Sequence, residues 1–203
     1  MKLLIKYKRV FFLLPFLSGL LLLSGCGTTQ KSDFYQLDER VNASLAGVEK
    51  GDIIGVGPIH LPDYIDRPQI ITRNSTYQLN VSEFHRWVEP LRDNITRMLV
   101  INMSNNLASN RVYWIPTQDR HFPLDLKIAI DIGRFDGQLG GEVALESRWS
   151  VFDKNDRPVL TRVSLITEPV NGPGYGDLVI AMNKALQTLG NEISQTAESI
   201  LNN

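Results

Sequence analysis

The chain has 203 residues, of which 43% are hydrophobic and 21% are charged, and its formal net charge is −1. This balance excludes the strongly basic surface by which proteins bind nucleic acids or anionic lipid headgroups. The single cysteine excludes a disulfide within the chain, so packing alone must stabilise the fold.

The first 25 residues have the layout of a secretory signal, with four basic residues, an apolar run over Val10–Leu23, and small residues before Cys26. The apolar run has about 14 residues, fewer than the roughly 20 that a transmembrane helix needs. A transmembrane anchor with a buried free thiol is therefore the disfavoured alternative. The stretch Leu23-Ser24-Gly25-Cys26 resembles the lipobox of bacterial lipoproteins, which implies cleavage before Cys26 and acylation of its sulfur and its new amine.

The residue after the acylated cysteine affects sorting in lipoproteins. An aspartate at that place tends to retain the protein in the inner membrane, and this chain has Gly27 instead. The resemblance therefore implies a lipid anchor on the periplasmic face of the outer membrane. A single acyl chain attaches only marginally, because each buried CH2 contributes about 0.8 kcal/mol, whereas a three-chain anchor is not released.

Cleavage would leave 178 residues, enough for one domain with a sizeable core. The signal, residues 1–25, contains four of the 21 basic residues and none of the 22 acidic ones, so the mature chain has a net charge of −5. Residues 26–33 are mostly small and polar and are predicted to form a lipidated tether. Residues 34–203 show no second boundary and are predicted to form a single domain.

The first half of that domain is predicted to contain short strands around one helix. Apolar and β-branched residues between turn residues indicate the strands Phe34–Leu37, Asp52–Leu61, Gln69–Arg73, Tyr77–Val81 and Arg111–Ile115. Pro90 suits the opening of a helix, and apolar residues then recur at spacings of three and four as far as about Ser109.

The second half predicts three longer strands and a helix. The strands are Leu124–Phe135, Glu142–Phe152 and Val159–Glu168, and the first alternates cleanly between apolar and polar residues. Asp136-Gly137 and residues 153–156 have turn chemistry, so we expect an antiparallel meander. A long amphipathic helix over residues 178–200 follows a Gly/Pro loop. The order predicts an α+β fold: a mixed, largely antiparallel sheet with two amphipathic helices packed on one face.

A search for catalytic chemistry yields no candidate. The histidines His60, His85 and His121 lie far apart, and none has a second ligand at metal spacing. Gly55-Val56-Gly57-Pro58 lacks the third glycine and the Lys-Ser/Thr of a phosphate-binding loop. The sequence also has no Gly-x-Ser-x-Gly nucleophile elbow. We therefore predict no metal site, no cofactor and no enzymatic activity.

The most informative stretch runs from Ile53 to Arg73 and reads IIGVGPIHLPDYIDRPQIITR. Its run Pro-Asp-Tyr-Ile-Asp-Arg-Pro between two strands resembles the PqiC/YmbA family of auxiliary lipoproteins of MCE-type transport systems. Phe34-Tyr35-Gln36-Leu37, the run from Arg86 to Leu91 and Trp149 agree with the same pattern. The resemblance spans essentially the whole mature chain.

This resemblance implies a role in lipid traffic across the cell envelope. In such systems an inner-membrane protein works with an MCE-domain protein whose stacked hexameric rings surround a hydrophobic tunnel. The lipoprotein would dock that tunnel at the outer membrane, without catalysis or a cofactor. A tunnel built from rings also leads us to expect a homo-oligomeric ring of this chain, since cyclic closure suits the capping of a tube.

Other classes of function remain beside this one. The chain could be an auxiliary lipoprotein of a related ABC lipid importer, or an assembly lipoprotein that stabilises other envelope machinery. A hydrolase with an unrecognised site is the least favoured reading.

The run Pro62–Pro68, which carries the resemblance, is called the family run below. Four of its residues are candidate partner-binding residues: Tyr64, Asp66, Arg67 and Pro68. Aromatic and arginine side chains are typical of interface centres, and three prolines between 58 and 68 restrict the backbone and lower its ordering cost. The alternative is a structural crossover in which Arg67 pairs with a neighbouring aspartate and Tyr64 fills the core.

Overall fold

The computed structural model describes residues 30–38, 51–115 and 123–202. Residues Ser32–Asn203 belong to one compact unit. The predicted signal, Cys26, Gly27 and His121 lie outside the described residues. Within the described ranges, no helix is long and apolar enough to cross a membrane.

The described elements comprise eight strands and two helices. They are β1 (Asp33–Tyr35), β2 (Ile54–His60), β3 (Gln69–Ser75), β4 (Gln78–Trp87), α1 (Leu91–Asn106), β5 (Val112–Trp114), β6 (Leu126–Gly137), β7 (Glu142–Asp153), β8 (Pro158–Pro169) and α2 (Tyr175–Leu201). Each predicted strand and helix therefore corresponds to an observed one, and the boundaries differ by a few residues at several ends.

All eight strands belong to one mixed sheet, as predicted. The three long strands β6, β7 and β8 pair antiparallel, which confirms the predicted meander. Strands β3 and β4 also pair antiparallel, whereas β1 with β4 and β2 with both β5 and β6 pair parallel. The parallel neighbours are far apart in sequence, so each pairing needs a long crossover connection.

One edge of β6 is shared by two strands, and this sharing creates a fork in the sheet. The first half of β6 pairs with β2, while its last residue, Gly137, pairs with Thr72 in β3. The other edge of β6 pairs with β7 along nearly its whole length. Residues 61–68 connect β2 to β3, and this link therefore passes the point where the two strands divide.

The core lies between the sheet and the helices. Helix α1 contacts β2 and β5, α2 contacts β6, β7 and β8, and the two helices contact each other. Gly190 permits a close approach, because a Cβ atom there would meet the Asn102 side chain at 2.0 Å. The apolar stripes predicted for both helices are buried, which confirms them as packing surfaces.

A buried amide fixes the chain beyond β1. Asn94 in α1 accepts a hydrogen bond from the backbone N–H of Leu37 and donates one to its carbonyl oxygen, both at 2.8 Å. The predicted strand 34–37 is thus a three-residue strand followed by a segment whose backbone is paired with a side chain. This satisfies polar groups that would otherwise be buried without partners.

The assignment of Asp136-Gly137 to a turn was wrong. Strand β6 continues through Gly137, and the turn follows it, where Gly141 donates a backbone hydrogen bond to Gln138. The side chain of Asp136 is fully buried. A register shift between Ile132 and Arg134 changes the alternation of β6, so its last residues do not follow the pattern of the first.

Candidate functional site

The link between β2 and β3, residues 61–68, carries the four candidate binding residues. A tight turn shapes it, since the backbone N–H groups of Ile65 and Asp66 both donate to the carbonyl oxygen of Pro62, at 3.1 and 3.2 Å. The Ile65 side chain is buried and anchors the link to the core. Because Pro62 and Pro68 restrict the backbone at the two ends of the link, the main chain between them has little residual freedom.

Tyr64 points away from solvent and into a charged cluster. Its hydroxyl donates to Oδ2 of Asp136 at 2.8 Å, and its ring packs against the core. Burial and then the hydrogen bond to Asp136 raise the pKa of Tyr64 to about 12. Tyr64 is therefore a fixed, neutral hydrogen-bond donor at any physiological pH.

Asp136 is the centre of this cluster. Arg73 in β3 makes a bidentate pair with it, from Nε to Oδ1 at 2.7 Å and from Nη2 to Oδ2 at 2.8 Å. Arg134 donates to Oδ1 at 3.2 Å. Burial of Asp136 opposes its ionisation, but the hydrogen bonds from Arg73 and Tyr64 and the charge of Arg134 outweigh it and lower its pKa. The same carboxylate raises the pKa of Arg73.

This arrangement fastens three parts of the fork together. Tyr64 comes from the link, Arg73 from β3 and Asp136 from the end of β6, and few backbone hydrogen bonds join β3 to β6 directly. Bidentate arginine–carboxylate pairs combine energy with geometric specificity. This position of Tyr64 favours the interpretation in which it stabilises the fold over the one in which it binds a partner.

Asp66, Arg67 and Pro68 lie elsewhere, on a surface groove of about 330 Å³. The groove is lined by Asp66, Arg67, Pro68, Trp87, Val88, Glu89, Pro90 and Leu91. The backbone N–H of Trp87 donates to the carbonyl oxygen of Pro68 at 2.7 Å, which joins the two halves of the groove. Two segments that carry the family resemblance, the Asp-Arg-Pro end of the link and the run Trp87–Leu91, therefore form one surface.

Ion pairs fix the acidic side chains of the groove. Asp66 pairs with Arg92, not with Arg67, and Glu89 forms a bidentate pair with Arg97, with 2.8 Å between Oε2 and Nη1. The hydrogen bond from Arg97 lowers the pKa of Glu89, so this pair is ionised at neutral pH. Both arginines belong to α1, so the first turns of this helix hold the acidic residues in place.

Arg67 and Val88 are side chains of the groove that are exposed to solvent and available for contact with a partner. Arg67 is exposed, and its guanidinium has no ion-pair partner among the described residues. Val88 is 58% exposed, whereas the neighbouring Trp87 is buried and forms part of the floor. An apolar surface with a free arginine can bind an apolar side chain next to a carboxylate.

The histidines supply no metal site in the described part of the chain. His60 lies exposed at the end of β2, and the ring of His85 stacks on Tyr175 at 3.9 Å with Nδ1 2.9 Å from the Tyr35 hydroxyl. Across the described ranges, no three His, Cys, Asp or Glu side chains are grouped to hold an ion.

The sequence did not indicate that Asp136 and Arg73 form a buried ion pair that joins β3 to β6. Asp136 precedes a glycine at the end of an alternating run, which favours a turn, and Arg73 lies 63 positions earlier. Their pairing depends on the fork in the sheet, which local pattern does not indicate.

Comparisons with known proteins agree on one family. The model of the ABC-type transport auxiliary lipoprotein component matches residues 35–194. The intermembrane transport lipoprotein PqiC of Escherichia coli (strain K12) is 21% identical over 129 residues, which cover 63% of this chain and 67% of that protein. PqiC of Shigella flexneri gives the same values.

Solved structures share the fold. Protein XCC0632 from Xanthomonas campestris, of the family DUF330, superposes with a TM-score of 0.64 and 21% identity, covering 83% of this chain and 99% of that chain. The crystal structure of an uncharacterized protein superposes with a TM-score of 0.68 and 17% identity over the same shares.

Proposed function

Because the chain belongs to the family of ABC-type transport auxiliary lipoproteins, we propose that it is an outer-membrane component of an MCE-type lipid transport system. The resemblance to the PqiC/YmbA family is confirmed by the family match and by the similarity to PqiC. In this proposal the signal is residues 1–25, residues 26–33 are a lipidated tether, and the folded domain docks a periplasmic MCE tunnel. No catalytic residue and no cofactor takes part.

The observation that carries the docking proposal is the groove with Arg67, whose guanidinium has no ion-pair partner among the described residues. Its acidic side chains are already held by α1, and its backbone is restricted by Pro68 and Pro90. A partner therefore meets a preformed surface and loses little free energy in ordering it. Arg67 and Val88 are available for a partner segment that combines an apolar side chain with a carboxylate.

A second candidate is an auxiliary lipoprotein of a related ABC lipid importer, which the family description itself favours. The same groove would then dock a different periplasmic component. Purification of the acylated protein from membranes after cross-linking separates these candidates. An MCE-domain protein retained through Arg67 supports the first, and an ABC-importer component supports the second. An assembly lipoprotein would retain neither.

Replacing Cys26 with serine is expected to abolish acylation and to release the protein from the outer-membrane fraction. The reason is that three acyl chains bury enough CH2 groups to attach the protein stably, and the serine variant has no sulfur to receive the first of them. Incorporation of radiolabelled palmitate, followed by membrane fractionation, measures both effects. Labelling that persists in Cys26→Ser would contradict the lipoprotein assignment. As a sorting control, Gly27→Asp should keep the label and move the protein toward the inner membrane.

We also expect the acylated protein to form a homo-oligomeric ring. A subunit that caps a ring-shaped tunnel closes most simply by cyclic symmetry. Light scattering of the detergent-solubilised protein should give a mass that is a multiple of the protomer mass. A protomer mass alone, both in detergent and in native mass spectrometry of nanodiscs, would exclude the ring, because the nanodisc restores the high local concentration of a membrane surface.

A further inference from the structure

The hairpin between β3 and β4 is unusually exposed and uncharged. Residues 74–82 contain no Asp, Glu, Lys or Arg, although 21% of the whole chain is charged. Tyr77 at the tip is 97% exposed, and Leu79 and Val81 are each 37% exposed. An uncharged tip with an outward tyrosine contrasts with the turn between β7 and β8, where Asp153, Lys154, Asp156 and Arg157 lie within five positions.

The direction of β1 shows that the chain before Asp33 approaches from the side of this hairpin. Strand β1 is parallel to β4, with Asp33 opposite His85 and Tyr35 opposite Trp87. Residues before Asp33 therefore lead toward the end of β4 that begins at Gln78, which is the hairpin end. Phe34 in β1 is itself 62% exposed.

The tether between Cys26 and β1 is about as long as the distance from the start of β1 to the hairpin end of β4. Seven steps along the chain lead from Cys26 to Asp33, and they span at most about 25 Å. The seven positions from His85 back to Gln78 span about 23 Å in an extended strand. A bilayer that holds the acyl chains of Cys26 is therefore within reach of the hairpin tip.

We propose that the β3–β4 hairpin, with Tyr77 at its tip, rests in the headgroup region of the bilayer to which Cys26 anchors the chain. This inference rests on the proposed lipidation of Cys26. Tyrosine suits that region because its ring is apolar and its hydroxyl stays hydrated. Arg73 beside the hairpin is already paired with Asp136 and with the carbonyl oxygen of Thr76. Because its charge is used within the fold, it does not select anionic headgroups, and the expected contact is with zwitterionic lipid.

The contact orients the protein and does not anchor it. A tyrosine and two half-exposed aliphatic side chains bury too little apolar surface to hold a domain on a membrane. They do decide which end of β4 faces the lipid. Trp87 and the groove lie at the opposite end of this ten-residue strand, up to about 30 Å away. The orientation therefore points the groove into the periplasm, toward a tunnel that approaches from the inner membrane.

A fluorescent label at the hairpin tip tests the proposal. Tyr77→Cys introduces the only reactive thiol, because the single native cysteine is acylated in the mature chain. The acylated full chain carries an environment-sensitive nitrobenzoxadiazole label in vesicles of phosphatidylethanolamine and phosphatidylcholine. The matched control is Asn155→Cys, at the exposed tip of the charged β7–β8 turn. We expect the label at position 77 to shift to shorter wavelength and to be quenched by spin-labelled lipid, and the label at 155 to do neither.

Two results would overturn the proposed orientation while leaving the lipid anchor in place. One is a label at position 77 that behaves like the label at 155 while the protein still floats with the vesicles, in which case only the orientation fails. The other is shielding of position 77 from water without quenching by spin-labelled lipid, which would assign the hairpin to a protein contact. Failure of the acylated protein to float at all would refute the anchor itself, and the orientation with it.

Discussion

Replacing Asp136 with asparagine is expected to lower the free energy of unfolding by about 3 kcal/mol or more. The substitution removes the negative charge that pairs with Arg73 and Arg134 and that strengthens the hydrogen bond from Tyr64, and it places an amide N–H2 group where a carboxylate oxygen accepted a hydrogen bond. It leaves the fork between β2 and β3 without its main side-chain connection. Chemical denaturation at pH 7 measures the loss. The matched control is Asp156→Asn, since Asp156 also pairs with a basic residue but is 71% exposed and should change stability by less than about 1 kcal/mol.

The pH dependence of stability should identify Asp136 as an ionised group. Its pKa in the folded protein lies below the ordinary value of about 3.9. A lowered folded-state pKa stabilises the native state fully above that ordinary value, and the contribution is lost as pH falls through the folded-state pKa. The stability difference between the wild type and Asp136→Asn should therefore be constant from pH 6 to 7 and shrink below about pH 4. A difference that stays the same in acid would show that Asp136 is not the charged centre of the cluster.

Periodicity was sufficient to predict the regular elements. The alternation from Leu126 to Ile132 and the stripe from Leu178 to Ala197 are both buried, because burial of one face is what such patterns select. The meander also followed from local signals, since each of its strands is joined to the next by a short turn.

The fork and its charged cluster did not follow from such signals. They depend on a parallel placement of β2 and β3 along one edge of β6, and no short sequence pattern reports which distant strands become neighbours. For the same reason the structural alternative, in which Arg67 pairs with Asp66 or Asp63, did not anticipate that Asp66 pairs with Arg92 in α1. The order of elements predicted a mixed sheet with two helices, whereas the roles of the charged residues depend on long-range pairings.

The separation of Tyr64 from Arg67 changes how the family run should be tested. Tyr64 contributes to the cluster at the fork, so Tyr64→Phe removes a hydrogen bond to a buried carboxylate and should reduce stability by about 1–3 kcal/mol. Its effect on partner binding should follow only from unfolding. Arg67 lies on the groove and makes no ion pair with described residues, so its removal should leave stability within about 0.5 kcal/mol of the wild type.

Replacing Arg67 with alanine is accordingly expected to weaken binding of the MCE-domain partner by about 2 kcal/mol, which is roughly 30-fold in Kd. The Arg67 guanidinium, which is unpaired among the described residues, can form a charge-assisted pair with a partner, and Val88 in the same groove supplies exposed apolar surface. Val88→Asp should therefore weaken binding by a similar amount, since it places a charge where an apolar side chain would be buried.

Arg148→Ala on the exposed face of β7 removes an equal charge far from the groove in sequence and serves as the control. Titration calorimetry with the soluble partner, alongside thermal unfolding of each variant, gives both quantities. Equal affinities for Arg67→Ala and Arg148→Ala would place the docking surface outside the groove.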